Sequence, residues 1–339
     1  MNIQQAIAQL LERRDLSQTE ARLVMEQIMS GEASEAQIGA YLVALRMKGE
    51  TVEEITGSAL TMRSKALTIA TPAGRVVDTC GTGGDGAGTF NISTTAAFLV
   101  AANDVIVAKH GNRALSSKSG SADLLAALGV QIDATPEVVQ NCLQQVGIGF
   151  LFAPKHHSAM RHVAGPRREL AVRTLFNLLG PLTNPASAPY QLMGLFSAAW
   201  IRPIAQVLGR LGVQHALVVH GDDGLDEITT TTTTQVAELS EDGSVNTYTL
   251  DPQQFGIPYA RPEALAGGDA AHNAALTRRI LAGEQGAARD IVVLNAAAAL
   301  YAARRAPSIA EGMQLAAEAL DSGRAAALLQ RLIECSNTP

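Results

Sequence analysis

Four segments of this sequence bring together residue types that could do chemistry. The first, Asp78-Thr79-Cys80-Gly81-Thr82-Gly83-Gly84-Asp85-Gly86, is a glycine loop behind an apolar run, and Thr89, Asn91, Ser93 and Thr94 follow at the start of a helical stretch. Backbone N–H groups approach an anion closely where no side chain intervenes, and the free amides of a helix N-terminus favour phosphate. Gly81, Gly83 and Gly86 also spell GxGxxG. A dinucleotide site needs the helix to open inside that motif, whereas AGTFNI intervenes before Ser93, and Asp104 precedes the second strand instead of ending it. That reading is set aside. The second segment, Lys109 to Ser121, places three cations, His110 and four serines directly after a buried strand. This is the composition of a phosphate cradle, but without GKS/T it is not a triphosphatase P-loop.

The third segment, KHHSAMRHVAGPRRELAVR, holds Lys155, Arg161, Arg167, Arg168 and Arg173 against Glu169 alone. In a chain of net charge -6 this local inversion points to a pocket for an anionic substrate. His156, His157 and His162 do not read as a zinc site, because no pair has i,i+4 spacing and HExxH is absent. The fourth segment follows HALVVHG: Asp222, Asp223, Asp226 and Glu227 crowd a strand end, where like charges repel unless a cation joins them. Hard carboxylate oxygens suit Mg²⁺, which keeps waters and substrate phosphates as its other ligands. A solvated acidic turn accounts for Asp222 and Asp223 better than for the adjacent pair.

The elements that must position these segments change character near residue 70. Residues 1–66 read as four helices. Ile3, Ala6, Ile7, Leu10 and Leu11 recur at helical spacing, and three capping boxes follow at Ser17–Glu20, Ser34–Gln37 and Thr51–Glu54. Gly31 and Gly49 stand where the second and third helices should stop. Four short helices bury little alone, so they must pack on the rest of the chain or on a partner.

From residue 75 strands and helices alternate. Strands are expected at 75–80, 105–108, 130–132, 148–152, 191–194 and 216–220, with helices at 93–102, 121–128, from Pro136 and at 200–211. This pattern implies an α/β fold with a mostly parallel central sheet covered on both faces. Residues 270–335 return to helix, and the six threonines 229–234 favour an extended chain. In such a sheet ligands bind beyond the carboxyl ends of the strands, where the four segments lie.

Composition narrows the function classes. The chain has 339 residues, enough for about two domains at roughly 150 residues each, and is 47% hydrophobic. Its net negative charge and 4% aromatics argue against nucleic acid and anionic membrane as partners. Cys80, Cys142 and Cys335 are too sparse for a disulfide framework and fit a reducing, cytoplasmic setting. MNIQQAIAQLLERRD lacks the unbroken apolar stretch of a signal peptide, and no apolar run approaches the ~18 residues of a membrane span.

Five motifs in order carry a resemblance: DTCGTGGDGAGTFNIST (78–94), KHGNRALSSKSGSADLLAALG (109–129), FAPKHHSAMRHV (152–163), RRELAVRTLFNLLGPLTNPA (167–186) and HGDDGLDEI (220–228). With them the chain resembles the anthranilate phosphoribosyltransferase family, nucleoside-phosphorylase-like (class IV) enzymes of tryptophan biosynthesis, from its first helices to about residue 325. The resemblance implies a helical domain (1–70) joined by a hinge to an α/β domain (71–339), an active-site cleft between them, and the 166–186 segment returning to the helical domain. It implies homodimers through the helical domains. 5-Phosphoribosyl diphosphate would contact Gly81, Gly84, Asp85, Thr89, Asn91, Ile92, Ser93 and Thr94. Lys109, His110, Gly111, Asn112, Arg113, Ala114, Leu115, Ser116, Ser117 and Ser121 would close over it. Ser93, Asp226 and Glu227 would hold two Mg²⁺ per subunit. Anthranilate would meet Gly81, Asn112 and Arg167, with Pro154, His110 and His157 lining its route.

The implied reaction is attack of the aromatic amine on ribose C1 as diphosphate leaves, governed by charge neutralisation and alignment. No general base is assigned, and His110 is the candidate proton acceptor. Thr229–Thr234 departs from the family's Ser-Thr-Thr-Gly-Pro-Thr-like run and lacks its pre-set turn. Pyrimidine nucleoside phosphorylases share the expected fold, but their basic loop differs and they lack the 167–173 arginines. A catalytically silent, nucleic-acid-binding relative should be basic with eroded glycine and acid motifs. This chain is acidic and keeps both.

Overall fold

The structure, a computed structural model, describes residues 1–114 and 118–338. Capping sets the limits of its first four helices, α1 (Ile3–Leu11), α2 (Gln18–Met29), α3 (Glu35–Lys48) and α4 (Val52–Lys65). The three boxes read from sequence are all formed, and a fourth joins Asn2 to Gln5. Gly49 ends α3 at φ +93°, a backbone state that suits glycine. Ile28, Tyr41, Leu45 and Ile55 from this bundle share one apolar cluster with Val163, Phe176, Leu179, Leu208 and Val218. The bundle therefore has no separate core and packs on the larger unit.

That larger unit runs β1 (Val76–Asp78), α5 (Ile92–Ala101), β2 (Ile106–Gly111), α6 (Ser121–Leu128), α7 (Pro136–Gln145), β3 (Ile148–Phe152), α8 (Ala153–His156), α9 (Arg161–Leu170), α10 (Phe176–Leu179), β4 (Tyr190–Gly194), α11 (Ile201–Arg210) and β5 (His215–Gly221). The hairpin β6 (Thr234–Leu239) and β7 (Val245–Leu250) follows, then helices α12 (Ala270–Leu281), α13 (Ala287–Ala302), α14 (Ile309–Asp321) and α15 (Arg324–Ser336). The sheet order is β3-β2-β1-β4-β5-β6-β7, with the first five strands parallel and the last two antiparallel. Strand order reverses between β1 and β4, which opens a crevice at their carboxyl ends. The glycine loop leaves β1 at that crevice.

The C-terminal helices are tied to the sheet layer by arginines on helix ends. Arg278 donates to Leu128 O, Arg324 to Ala102 O and Arg331 to Gln145 O, each near the last turn of α6, α5 or α7. Cations there satisfy carbonyls without an intrahelical partner. The three cysteines are free thiols. Among the described residues no helix is long and apolar enough to cross a membrane.

Two expectations need correction, and one element was missed. Residues 130–132 form no strand: they are a short turn between Gly129, the left-handed cap of α6, and the Thr135 cap of α7, and Val130 and Ile132 simply fill the core. The threonine run is not extended, because the chain bends through residues 230–232 and only Thr234 enters β6. The β6–β7 hairpin was not anticipated.

Candidate functional site

The glycine loop is held at both ends. Thr82 donates its N–H to Gly194 O at 2.9 Å, and its hydroxyl accepts the Phe196 N–H at 3.1 Å. Gly83 and Gly84 adopt φ +66° and +74°, consecutive left-handed residues that side chains would strain. Gly83 donates its N–H to Asp226 Oδ2 at 2.6 Å. A Cβ on Gly81 would come within 2.9 Å of the same oxygen, and one on Gly194 would collide with Asp226 O. Two glycines thus make room for one acid. Beyond the loop, Thr89 bridges to Ala266, and the 265–267 segment lies along the loop.

Helix α5 opens at Ile92, well after the glycines, which agrees with setting the dinucleotide motif aside. Its N-terminus is occupied by Glu227, whose Oε1 accepts the Ser93 N–H at 3.1 Å. Asn91 makes no cap bond. Its amide donates to Ser119 O and accepts from Asn273, linking the glycine loop to the basic segment. Ile92 and Thr94 are buried behind the loop.

At the end of β2, Lys109 is buried and donates to Thr79 O (2.7 Å) and Oγ1 (3.2 Å). Beside it Asp78 is fully buried, accepting from the His110 N–H at 3.2 Å and from Asn184 Nδ2 at 2.7 Å. Arg113 does not point into the cleft: it pairs with Asp123 at 3.0 Å, and that carboxylate also accepts the Ala114 and Gly120 amides. Asn112 O accepts from Ser121 Oγ, and a Cβ on Gly111 would collide with that hydroxyl. Leu115, Ser116 and Ser117 lie outside the described residues.

Next to Lys109 on β2, His110 meets His157 edge to face at 5.2 Å, each with a buried Nε2 that has no partner. Burial pushes His110 down to about 3 and His157 down to about 4, so both are neutral near pH 7. Pro154 opens α8 beside them. Two further histidines of this segment are engaged elsewhere, His156 on Leu67 O and His162 against Gly31. Arg167 lies over the Phe176 ring at 5.5 Å, and burial lowers its pKa. Arg173 stacks on Phe196 at 4.4 Å and donates to Gly84 O.

The electrostatics single out one pair of acids. Burial, then the charges of Glu227 and Asp85, push Asp226 well above the carboxylate range, and burial raises Glu227 to about 7. Asp222 and Asp223 have a different fate. Asp222 accepts from Thr233 and Gln235, and Asp223 from Thr229 and Thr231. The threonine run therefore ties down the first two acids and leaves Asp226 and Glu227 facing the glycine loop. Among the described residues no three His, Cys, Asp or Glu side chains form a metal cage. Mg²⁺ needs only one or two carboxylates when phosphates and water complete its shell, so the crowded pair with Ser93 fits it.

Sequence reasoning missed Gly194, Asn184, Asn273 and Asn295. Only Asn295 left a signal, as the single polar residue interrupting IVVLNAAAAL.

Residues 73–326 match the Glycosyl transferase family, a/b domain, and residues 4–66 its helical bundle domain. The chain is 56% identical over 333 residues to the anthranilate phosphoribosyltransferase of Thioalkalivibrio sulfidiphilus, covering 98% of each. Its fold superposes on the anthranilate phosphoribosyltransferase of Thermus thermophilus with a TM-score of 0.93 at 46% identity, over 98% of this chain and 99% of that one. The Saccharomyces cerevisiae enzyme of the same name, in complex with PRPP and Mg, matches with a TM-score of 0.89 at 26% identity, over 98% and 97%.

Proposed function

The chain belongs to the anthranilate phosphoribosyltransferase family of glycosyl transferases, and on that premise we propose how its residues divide the reaction. It transfers the 5-phosphoribosyl group of 5-phospho-α-D-ribose 1-diphosphate to the amine of anthranilate, giving N-(5-phosphoribosyl)anthranilate and diphosphate, a step of tryptophan biosynthesis. One observation carries the assignment of the site: Asp226 and Glu227 fold back onto the amides of Gly83 and Ser93 at the crevice between β1 and β4.

In this reading the diphosphate lies on Gly81, Gly84, Asp85, Thr89 and the Asn91–Thr94 turn, with Lys109, His110, Gly111, Asn112 and Ser121 on its other side. Ser93, Asp226 and Glu227 would hold Mg²⁺, two ions per subunit, and such ions would supply positive charge to offset that of the departing diphosphate. The yeast complex with PRPP and Mg supports the choice of metal. The C1–O bond to diphosphate breaks ahead of C1–N bond formation, so stabilising the leaving group and aligning the amine supply most of the catalysis. Lys109, beneath the loop on Thr79, adds positive charge beside both acids.

Arg167 grips the carboxylate of anthranilate, with Gly81 and Asn112 beside the ring and Pro154, His110 and His157 along its route. The nitrogen that has just bonded to C1 is anilinium-like and strongly acidic, so a weak base suffices to take its proton. We assign that proton to the unpartnered Nε2 of His110.

We further read residues 1–70 as the smaller domain and 71–339 as the larger, joined through a hinge. The assembly is read as a cytoplasmic homodimer through the helical domain. Leu11 and Met47, 71% and 72% exposed on α1 and α3, support that face. The deciding experiment follows anthranilate fluorescence with and without 5-phosphoribosyl diphosphate and Mg²⁺. Loss of fluorescence requiring both is expected, and folded protein that consumes no anthranilate with fresh substrates overturns the reading.

A further inference from the structure

Helix α13 is apolar and buried along nearly its whole length, yet at its centre Asn295 is a fully buried amide. A buried amide costs free energy unless its hydrogen bonds are made. Here both donors and the acceptor oxygen are used. Asn295 Oδ1 accepts the Ile228 N–H at 3.0 Å, and Nδ2 donates to Ile228 O at 2.8 Å and to Ile291 O at 2.9 Å. Ile228 lies between β5 and β6, outside the sheet ladder, so the side-chain amide does for it what a neighbouring strand would do. The bond to Ile291 O, one turn back in the same helix, fixes the amide in a single orientation.

One of the two peptide groups that Asn295 grips joins Ile228 to Glu227. On its other side the acid pair is already constrained: Asp226 packs against Gly194 and accepts from Gly83, and Glu227 accepts from Ser93. Two acids crowded on adjacent residues at a strand end keep their places only if the backbone that carries them is held. The nearest rigid body behind that backbone is α13.

We propose that Asn295 is a positioning residue for the transfer reaction: by bonding both peptide groups of Ile228 it holds Asp226 and Glu227 in register with the glycine loop and the α5 N-terminus, and so sets their affinity for a divalent cation. The proposal rests on reading those acids as cation ligands. Asn295 touches no substrate and acts through Ile228 alone.

The test is binding of Mn²⁺ alone to the full chain, followed by electron paramagnetic resonance, together with thermal melting. In Asn295→Ala the Mn²⁺ dissociation constant rises by about tenfold or more, the scale expected for losing two buried hydrogen bonds. The Mg²⁺ concentration for half-maximal turnover rises in parallel, and kcat at saturating Mg²⁺ stays within a few-fold of wild type. Asn295→Asp keeps the shape and the acceptor for the Ile228 N–H but loses the donor to its carbonyl. It shifts the same way and supplies the result if the alanine variant does not fold. Asn103→Ala is the structural control, because Asn103 is an equally buried amide that bonds Leu99 O and Leu315 O instead. It lowers the melting temperature and leaves Mn²⁺ affinity unchanged.

Wild-type Mn²⁺ affinity in the folded Asn295 variants overturns the proposal, provided Glu227→Gln abolishes binding. If Glu227→Gln also binds Mn²⁺ normally, the reading of the acids as ligands has failed, and the proposal falls with it.

Discussion

Glu227 caps a helix far before it in the chain: its Oε1 accepts, at 3.1 Å, the N–H of Ser93, 134 residues earlier, at the N-terminus of α5. A carboxylate there is favoured by the unpaired amides and the helix dipole. Burial and the neighbouring acids work against it, since Glu227 and Asp226 are both raised above their ordinary range. The pair is therefore under strain that a cation relieves. Replacing both by their amides, Asp226→Asn with Glu227→Gln, keeps acceptors for Gly83 and Ser93 and removes the repulsion. Turnover should fall by about 10²–10³, the scale for removing a group that stabilises charge in the transition state. The melting temperature without metal should hold or rise, and Mg²⁺ should no longer raise it. Turnover near wild type would reduce the acids to a solvated turn.

Much of this site was legible because its parts are local. A capping box is four residues long, and a loop after a strand sits where parallel sheets bind ligands, so the glycine, basic and acidic segments could be placed without coordinates. Asn184 could not: it donates to Asp78, 106 residues away, and to Ala108 O, and nothing beside it announces either partner. Gly194 was equally silent, since its need for no side chain arises only where Asp226 packs on it. The β6–β7 hairpin did leave a trace in Asp242-Gly243 between two alternating runs. The threonines beside it drew attention to an extended chain, when their hydroxyls were partners for Asp222 and Asp223.

That role makes the threonine run testable. Thr229 Oγ1 donates to Asp223 Oδ2 at 2.6 Å and accepts the Thr231 N–H at 3.0 Å, in a fully buried position. Thr229→Val keeps the shape and leaves both groups short of a partner, which should cost about 1–3 kcal/mol in urea unfolding. Thr229→Ser should be close to neutral. Thr231→Val should cost less, because Thr231 is partly exposed and Asp223 keeps its bond from the Leu225 N–H. Equal stabilities for Thr229→Val and Thr229→Ser would show that the hydroxyl does not anchor the turn.

His110 and His157 make stability depend on pH in a definite direction. Burial lowers their folded pKa values to about 3 and about 4, against ~6.5 in an unfolded chain. A depressed folded pKa contributes stability that is fully present above the unfolded value and is lost as pH falls toward the folded one. Between about pH 6 and pH 4.5 each histidine should therefore remove up to ~1.4 kcal/mol per pH unit. The double variant His110→Gln, His157→Gln should lose stability less steeply over that interval in urea titrations at stepped pH. An unchanged slope would mean that both imidazoles are solvated and protonate freely in the folded protein.

Arg167 separates the two substrates. It lies over Phe176 on the α9–α10 side of the cleft, while the glycine loop and Lys109 are built on β1 and β2. Arg167→Ala should therefore weaken anthranilate and leave 5-phosphoribosyl diphosphate nearly untouched. Losing a charge-assisted bond to a carboxylate costs about 1.5–3 kcal/mol, a factor of roughly 10 to 150 in affinity. Lysine is no substitute, since a point charge neither matches the carboxylate plane nor stacks on Phe176 as the guanidinium does. Arg173 is the natural comparison, because it stacks on Phe196 and donates to Gly84 O in the glycine loop. Its alanine variant should weaken the diphosphate substrate more than anthranilate. Separate calorimetric titrations of the two substrates into each variant decide the matter. If Arg167→Ala loses the diphosphate and keeps anthranilate, the two ends of the cleft have been assigned the wrong way round.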